Sequence, residues 1–330
     1  MKILSLFFIL IFAAALGSAQ AVQNDEATRL SAQAVKLFKE KKYAEAAPIA
    51  ETVVKLRTQE AGANHLKTGE ALRNLGFIQI AAGNREKAEE ALEKAAAIYR
   101  AQTDLNKDSQ VQLAQMLETV GFYKFEKRKI EKSREFYQAA LELREKIHGA
   151  DALETTDSLW ALGNIYQFQK DYPNAEKKYR RVLEIRAKKL EKSGWEFQNA
   201  QSHYYCMSVR NDKGEEALNF IKSLNPGAFT DTPPNAAAQA VSGGIINGKA
   251  KNLAKPPYPM EARAARAGGA VNVQATIDEQ GKVIFACALS GNKLLYEASE
   301  SAAYQSTFQP TTLGGKPVKV MGVIVYNFVP

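Results

Sequence analysis

The sequence predicts two unlike domains in series: an all-α solenoid of helical hairpins, then a small α+β domain with a three-stranded antiparallel sheet. Three observations predict it. A pattern of small and apolar residues recurs along the first two thirds of the chain, proline and glycine cluster after Asn225, and beyond Tyr258 the apolar period changes from helical to strand-like. A chain of 330 residues accommodates two such domains, and 45% hydrophobic with 24% charged residues is the composition of folded globular protein.

The chain opens with Met1-Lys2, an apolar run over residues 3–16, and the small residues Gly17, Ser18, Ala19 and Ala21. A basic start, an apolar core and an A-x-A exit read as a secretory signal over residues 1–21, cut after Ala21 or, second, after Ala19. The competing reading is an uncleaved membrane anchor. No cysteine follows the run, so a lipid anchor is not expected. Export from the cytoplasm follows from the signal.

The repeat occupies residues 22–224. Leu72-x-x-Leu75-Gly76, Leu117-x-x-Val120-Gly121 and Leu159-x-x-Leu162-Gly163 align, each followed twelve residues later by Ala88, Ser133 or Ala175. Large residues come four further on (Leu92, Tyr137, Tyr179), and an earlier copy fits more loosely around Leu30, Ala34, Ala46, Ala50 and Val53. A stripe at three and four spacing cannot be buried by one helix alone, and a small residue at the crossing lets paired helices approach. A degenerate last copy around Tyr204, Tyr205, Ala217, Leu218 and Ile221 is expected to cap the stack. The pattern resembles the tetratricopeptide repeat. Steps of 42, 45 and 42 residues between Ala34, Gly76, Gly121 and Gly163 exceed the usual repeat of about 34 and resemble the kinesin-light-chain variety. That resemblance implies a concave groove for a partner peptide, lined by Arg73, Phe77, Phe122, Trp160, Asn164 and Gln167. The alternative for the aromatic members is packing between helices.

Residues 225–257 carry Pro226, Pro233, Pro234, Pro256 and Pro257 with Gly227, Gly243, Gly244 and Gly248, and read as a linker. Over residues 258–330 the expected order is helix, strand, strand, helix, strand. Residues 259–267 are helical; residues 271–278 and 282–289 alternate about an Asp278-x-x-Gly281 turn; residues 294–305 are helical; residues 318–328 form a closing strand. A strand that long at the end of the chain is expected to leave one edge unpaired.

Tyr258-Pro259, the entry Gly269-Ala270-Val271-Asn272-Val273, the Asp278-x-x-Gly281-Lys282-Val283 turn, Ser290-Gly291, Phe308-x-Pro310 and Gly315-Lys316-Pro317-Val318 together resemble the TonB C-terminal domain. Two places depart from its pattern: Pro257 stands where the archetype has glutamine, and Ser306 where many members have tryptophan. The resemblance implies capture of an extended segment of an outer-membrane transporter by strand addition to the last strand. The residues implied are Val318, Lys319, Val320, Met321, Gly322, Val323, Ile324 and Val325, with Tyr258 and Pro259 nearby. No Ser-x-x-x-His pattern of motor coupling stands in the apolar start, so an unenergised scaffold or cell-wall (peptidoglycan) adaptor is the alternative to a transport role.

Three scattered histidines, His65, His148 and His203, make no metal cluster, and no cofactor is expected. Phosphate loops, nucleophile elbows and paired acid–base motifs are missing, so neither an enzyme nor a small-molecule substrate is expected. The net charge of +8 is spread among glutamates on helix faces, which argues for solvated surfaces rather than nucleic acid. Cys206 and Cys287 fall in different domains. An exported chain can oxidise them, but a bridge would have to cross the linker, so each is read as a small buried hydrophobe.

Overall fold

A computed structural model describes residues 26–192, 194–226 and 241–329. The signal segment and the first half of the linker lie outside the described residues. Two compact units divide at Phe136 and Tyr137.

The first unit begins with α1 (Glu26–Lys39), α2 (Tyr43–Ala61), α3 (Leu66–Ala81), α4 (Arg85–Arg100) and α5 (Lys107–Glu126), and ends within α6 (Ile130–His148). Small residues do what the sequence asks of them. A methyl group on Gly76 would lie 2.6 Å from the Leu92 side chain, so α3 and α4 touch only because no Cβ intervenes. At the equivalent crossing of α5 and α6 the buried Ser133 hydroxyl donates to the Gly121 carbonyl at 2.7 Å.

The second unit continues with α7 (Thr156–Phe168), α8 (Tyr172–Lys189), α9 (Trp195–Arg210) and α10 (Gly214–Leu224). Gly163 repeats the Gly76 contact, here 2.7 Å from the Tyr179 ring. The degenerate last copy is a genuine hairpin, with Tyr204, Ala217 and Ile221 buried.

Every hairpin turn closes in the same way. One residue adopts left-handed φ, at Lys41, Gly83, Arg128, Lys170 and Asp212 in turn. The next residue's N–H then reaches back five positions, as in Lys42 to Leu37 O (2.9 Å), Lys129 to Lys124 O (2.8 Å) and Lys213 to Ser208 O (2.8 Å). This is the Schellman closure, which satisfies carbonyls that the helix end would otherwise leave without donors.

Beyond the hairpins the second unit holds an α+β domain. Its sheet has four strands in the order β1-β8-β3-β4: β1 (Val241–Ile245), β8 (Val320–Phe328), β3 (Gly269–Ile277) and β4 (Val283–Ser290). The three antiparallel strands are those read from the sequence; the fourth, β1, runs parallel to β8 and comes from the presumed linker. Short ladders join β2 (Ala250–Asn252) to β5 (Thr307–Phe308), and β6 (Thr311–Leu313) to β7 (Lys316–Val318). Residues 241–245 and 250–252 are therefore corrected from linker to strand.

One face of the sheet, carrying Val271, Val273, Ala275, Ile324 and Phe328, packs with α11 (Met260–Ala264) and α12 (Tyr296–Gln305) through Ala262, Tyr296, Ala302 and Ala303. Gly281 is required twice over. Its φ is +83°, and a Cβ there would lie 2.0 Å from the Phe308 carbonyl oxygen. Asp278 completes the turn by accepting from the backbone N–H of Gln280 and of Lys282. Ser306, at the place of the missing tryptophan, is buried; its hydroxyl donates to Ala302 O at 2.8 Å and accepts from Ala254 N–H at 3.0 Å.

Candidate functional site

The sequence marks the outer edge of β8 as the acceptor of a foreign strand. The inner edge pairs with β3 from Val320 opposite Ile277 to Phe328 opposite Gly269. The outer edge is not free. β1 lies along it in parallel register, with Val241 opposite Val320, Ser242 opposite Met321 and Ile245 opposite Val323. Past the end of β1, Ile246 N–H donates to Val323 O at 3.0 Å. The Asn247 carboxamide then takes both polar groups of one residue: Val325 N–H donates to its Oδ1 at 2.8 Å, and its Nδ2 donates to Val325 O at 2.7 Å. The expectation of an unpaired edge is corrected accordingly, because backbone groups there find partners in the preceding segment of the same chain.

Two of the expected edge residues are placed elsewhere. Val318 belongs to the β6–β7 hairpin, opposite Thr311, and Lys319 holds its Nζ 4.1 Å from the centre of the Trp195 ring. The Tyr258-Pro259 element fastens the domain internally. The Tyr258 hydroxyl donates to Ala267 O at 3.0 Å, its ring meets Phe328 at 5.9 Å, and Pro259 sets the extended entry to α11.

The opposite margin, β4, is closed by side chains of α12. Ala288 N–H donates to the Glu300 carboxylate at 2.7 Å, and the Ala286 backbone meets the Tyr304 hydroxyl. Burial pushes the Glu300 carboxyl up, with the adjacent Arg210 opposing that rise.

Of the groove residues, Arg73 and Phe77 sit four apart on α3, with the Arg73 guanidinium donating to Asn74 Oδ1; Phe122 on α5 is 46% exposed. Trp160, Asn164 and Gln167 come together on α7 around Tyr179, whose hydroxyl lies 2.7 Å from Asn164 Oδ1 and 2.9 Å from Gln167 Oε1. Trp160 packs edge-on to Tyr179 (5.1 Å) and against His203 (4.3 Å), so the packing alternative describes it better than a ligand-facing position.

That aromatic cluster leads to what sequence reasoning missed. The second face of the sheet presents Phe285 and Cys287 two apart on β4, and α9 presents His203 and Cys206 three apart. Phe285 stacks 4.2 Å from His203, and Cys206 is bonded to Cys287. The reading of two separate buried thiols is corrected: both are buried, and they form one bridge across 81 residues of sequence. Ion pairs surround the bridge, Arg210 with Glu300, Lys293 with Asp212, and Lys170 with Glu297. The α+β domain is thus fixed to the last two hairpins. An even cysteine count and same-face spacing on both elements were the available clues.

His203 is held neutral. Burial pulls its pKa down to about 4, with the Asn199 carbonyl opposing and Arg186 adding to the fall. Its Nδ1 lies 2.9 Å from Asn199 O, and because a carbonyl only accepts, Nδ1 carries the proton.

Among the described residues no helix is long and apolar enough to cross a membrane, and no group of three or more His, Cys, Asp or Glu is placed to hold a metal.

Comparison with known proteins agrees with this architecture. The model of the tetratricopeptide repeat matches residues 24–101 and 112–188, and that of the Gram-negative bacterial TonB protein C-terminal region matches residues 254–330. No curated protein matches the chain. Among solved structures, it is similar to a putative kinesin light chain with TPR-like repeats from Podosopora anserina, at 17% identity over 62% of this chain and 96% of that one, with a TM-score of 0.48. It is also similar to BtubC from P. vanneervenii, at 18% identity over 65% and 86% with a TM-score of 0.46. A third is the apo form of RapI, at 14% identity over 60% and 69% with a TM-score of 0.48. Helical hairpins of the observed phase, and a mixed sheet entered through Tyr258-Pro259 and turned at Asp278-x-x-Gly281, answer to the two matched models in order along the chain: this is a tetratricopeptide-repeat protein with a TonB C-terminal domain.

Proposed function

We propose that the chain is an exported, periplasmic interaction protein of the TonB class. In this reading its repeats hold a protein partner, and its C-terminal domain docks an extended segment of an outer-membrane transporter by strand addition to β8. Both modules are interaction modules, which supports a protein-binding role in the envelope. The observation that carries the docking reading is the parallel seating of an extended segment on the outer edge of β8. An edge that accepts one extended strand through its backbone has the geometry to accept another. The Cys206–Cys287 bridge supports export, since such bonds persist in oxidising compartments.

One observation favours the alternative of an unenergised scaffold or cell-wall adaptor. The bridge and its ion pairs fix the docking domain to the last hairpins instead of leaving it on a free tether. The test is a photoreactive residue in place of Asn327, which is exposed at the end of β8. Irradiation of intact envelopes is expected to trap an outer-membrane transporter. Trapping of cell-wall or soluble envelope components alone would leave the scaffold. A mature protein beginning near Val22 is the accompanying expectation for a periplasmic adaptor.

A further inference from the structure

The segment lying on β8 also says what kind of strand the edge reads. Gly322 sits at the middle of the covered stretch and is buried. A Cβ there would lie 2.5 Å from Ile246 Cγ2 and 3.1 Å from Gly244 O, so Gly322 is a notch that Ile246 fills. Ile246 is 1% exposed and belongs to the domain core, whereas its neighbour Ile245 points outward and is 70% exposed. One residue further on, the Asn247 carboxamide presents a donor and an acceptor to the two polar groups of Val325, so a side chain continues the ladder where the chain turns away.

The same segment is the most weakly held strand of the sheet. Its ladder is short and its register shifts between Ser242 and Ile245, where Gly243 and Gly244 intervene. Glycines lose the most conformational freedom on ordering, so little net gain remains from so few hydrogen bonds.

From these features we infer that residues 244–247 are an internal occupant of the docking edge. The partner they stand in for is an extended segment carrying an isoleucine followed by an asparagine, entering parallel to β8 after small residues. The isoleucine seats on Gly322 and the asparagine reads the Val325 backbone. Partner binding and release of the chain's own segment are one exchange. This rests on the strand-addition reading above and adds to it the sequence preference and the resting closure.

The experiment uses the full oxidised chain and a fluorescein-labelled peptide with the sequence of residues 240–249, followed by anisotropy. Asn247→Ala weakens the internal occupant and leaves β8 intact. It is expected to bind the peptide about tenfold more tightly than the unaltered chain, the equivalent of one lost buried hydrogen-bonding group. On that variant, peptides with the second isoleucine or the asparagine changed to alanine are expected to bind at least about tenfold more weakly. Gly322→Ala is expected to bind none of them; should it fail to fold by circular dichroism, the peptide series on Asn247→Ala decides alone. Equal binding by Asn247→Ala and the unaltered chain overturns the proposal. So does binding indifferent to the isoleucine and asparagine, or a peptide-resistant dimer in sedimentation, which would make a second copy the occupant. A transporter trapped from Asn327 alongside any of these failures would leave the docking reading standing and remove only the recognition rule.

Discussion

Reduction of the Cys206–Cys287 bridge is expected to lower the stability of the unit beginning at Tyr137 by about 2–4 kcal/mol. The bridge closes a loop of 81 residues, and a cross-link restricts the unfolded chain more as the loop lengthens. It also joins the TonB-like sheet to α9, so its loss leaves that junction to Phe285, His203 and the surrounding ion pairs. Exposed pairs such as Lys170 with Glu297 contribute little on their own. The chain has two tryptophans, Trp160 and Trp195, and both lie in this unit, so their fluorescence reports it selectively. Urea unfolding followed by that fluorescence should move to lower denaturant on reduction, and equally in Cys206→Ser/Cys287→Ser. An unchanged midpoint would mean that packing holds the sheet to the hairpins without help from the bridge.

Acidification is expected to weaken the same junction through His203. Its folded pKa, about 4, lies below the unfolded value near 6.5, so neutral His203 contributes stability that is present above pH 6.5 and lost as pH falls through 4. The full loss is about 3 kcal/mol at most. Glu300 acts in the opposite direction. Burial raises its pKa, so its protonation favours the folded state as pH falls. His203→Phe keeps an aromatic ring between Trp160 and Phe285 and removes the titration. Its unfolding midpoint should therefore stop falling between pH 6.5 and pH 4, while that of the unaltered chain falls. A parallel fall in both proteins would assign the acid sensitivity to other groups.

The repeats were legible because their physics is local. Gly76 and Gly163 mark helix crossings where no Cβ fits, and each is followed sixteen residues later by the residue that fills the space, Leu92 or Tyr179. The fifth hairpin is fainter in sequence, because Tyr205 stands twelve residues before Ala217, at the place where Gly76, Gly121 and Gly163 stand in the clear copies. The antiparallel strands were legible by alternation and by the Asp278-x-x-Gly281 turn. β1 was not, because Val241-Ser242-Gly243-Gly244-Ile245 has two glycines and a neighbourhood of prolines, which read as linker. Its strand character is supplied by β8, through the Gly322 notch and the Val325 backbone, and neither appears in any local window. The bridge was missed for a related reason. The distance in sequence between Cys206 and Cys287 obscured that α9 and β4 turn their cysteine-bearing faces toward each other. Among the groove residues, Asn164 and Gln167 meet at the hydroxyl of Tyr179, a buried tyrosine that the repeat pattern marks only as a filler.

Closure of the β8 edge by the chain's own segment is the claim on which the docking account turns, and the Val325 amide reports it directly. In the full oxidised chain that amide donates to Asn247 Oδ1, so its hydrogen exchange should be at least about a hundredfold slower than in an unstructured chain. Asn247→Ala should return it toward the unstructured rate while amides of β3 stay protected. Fast exchange at Val325 in the unaltered chain, with β3 protected, would mean that the edge stands open and that residues 241–247 do not guard it.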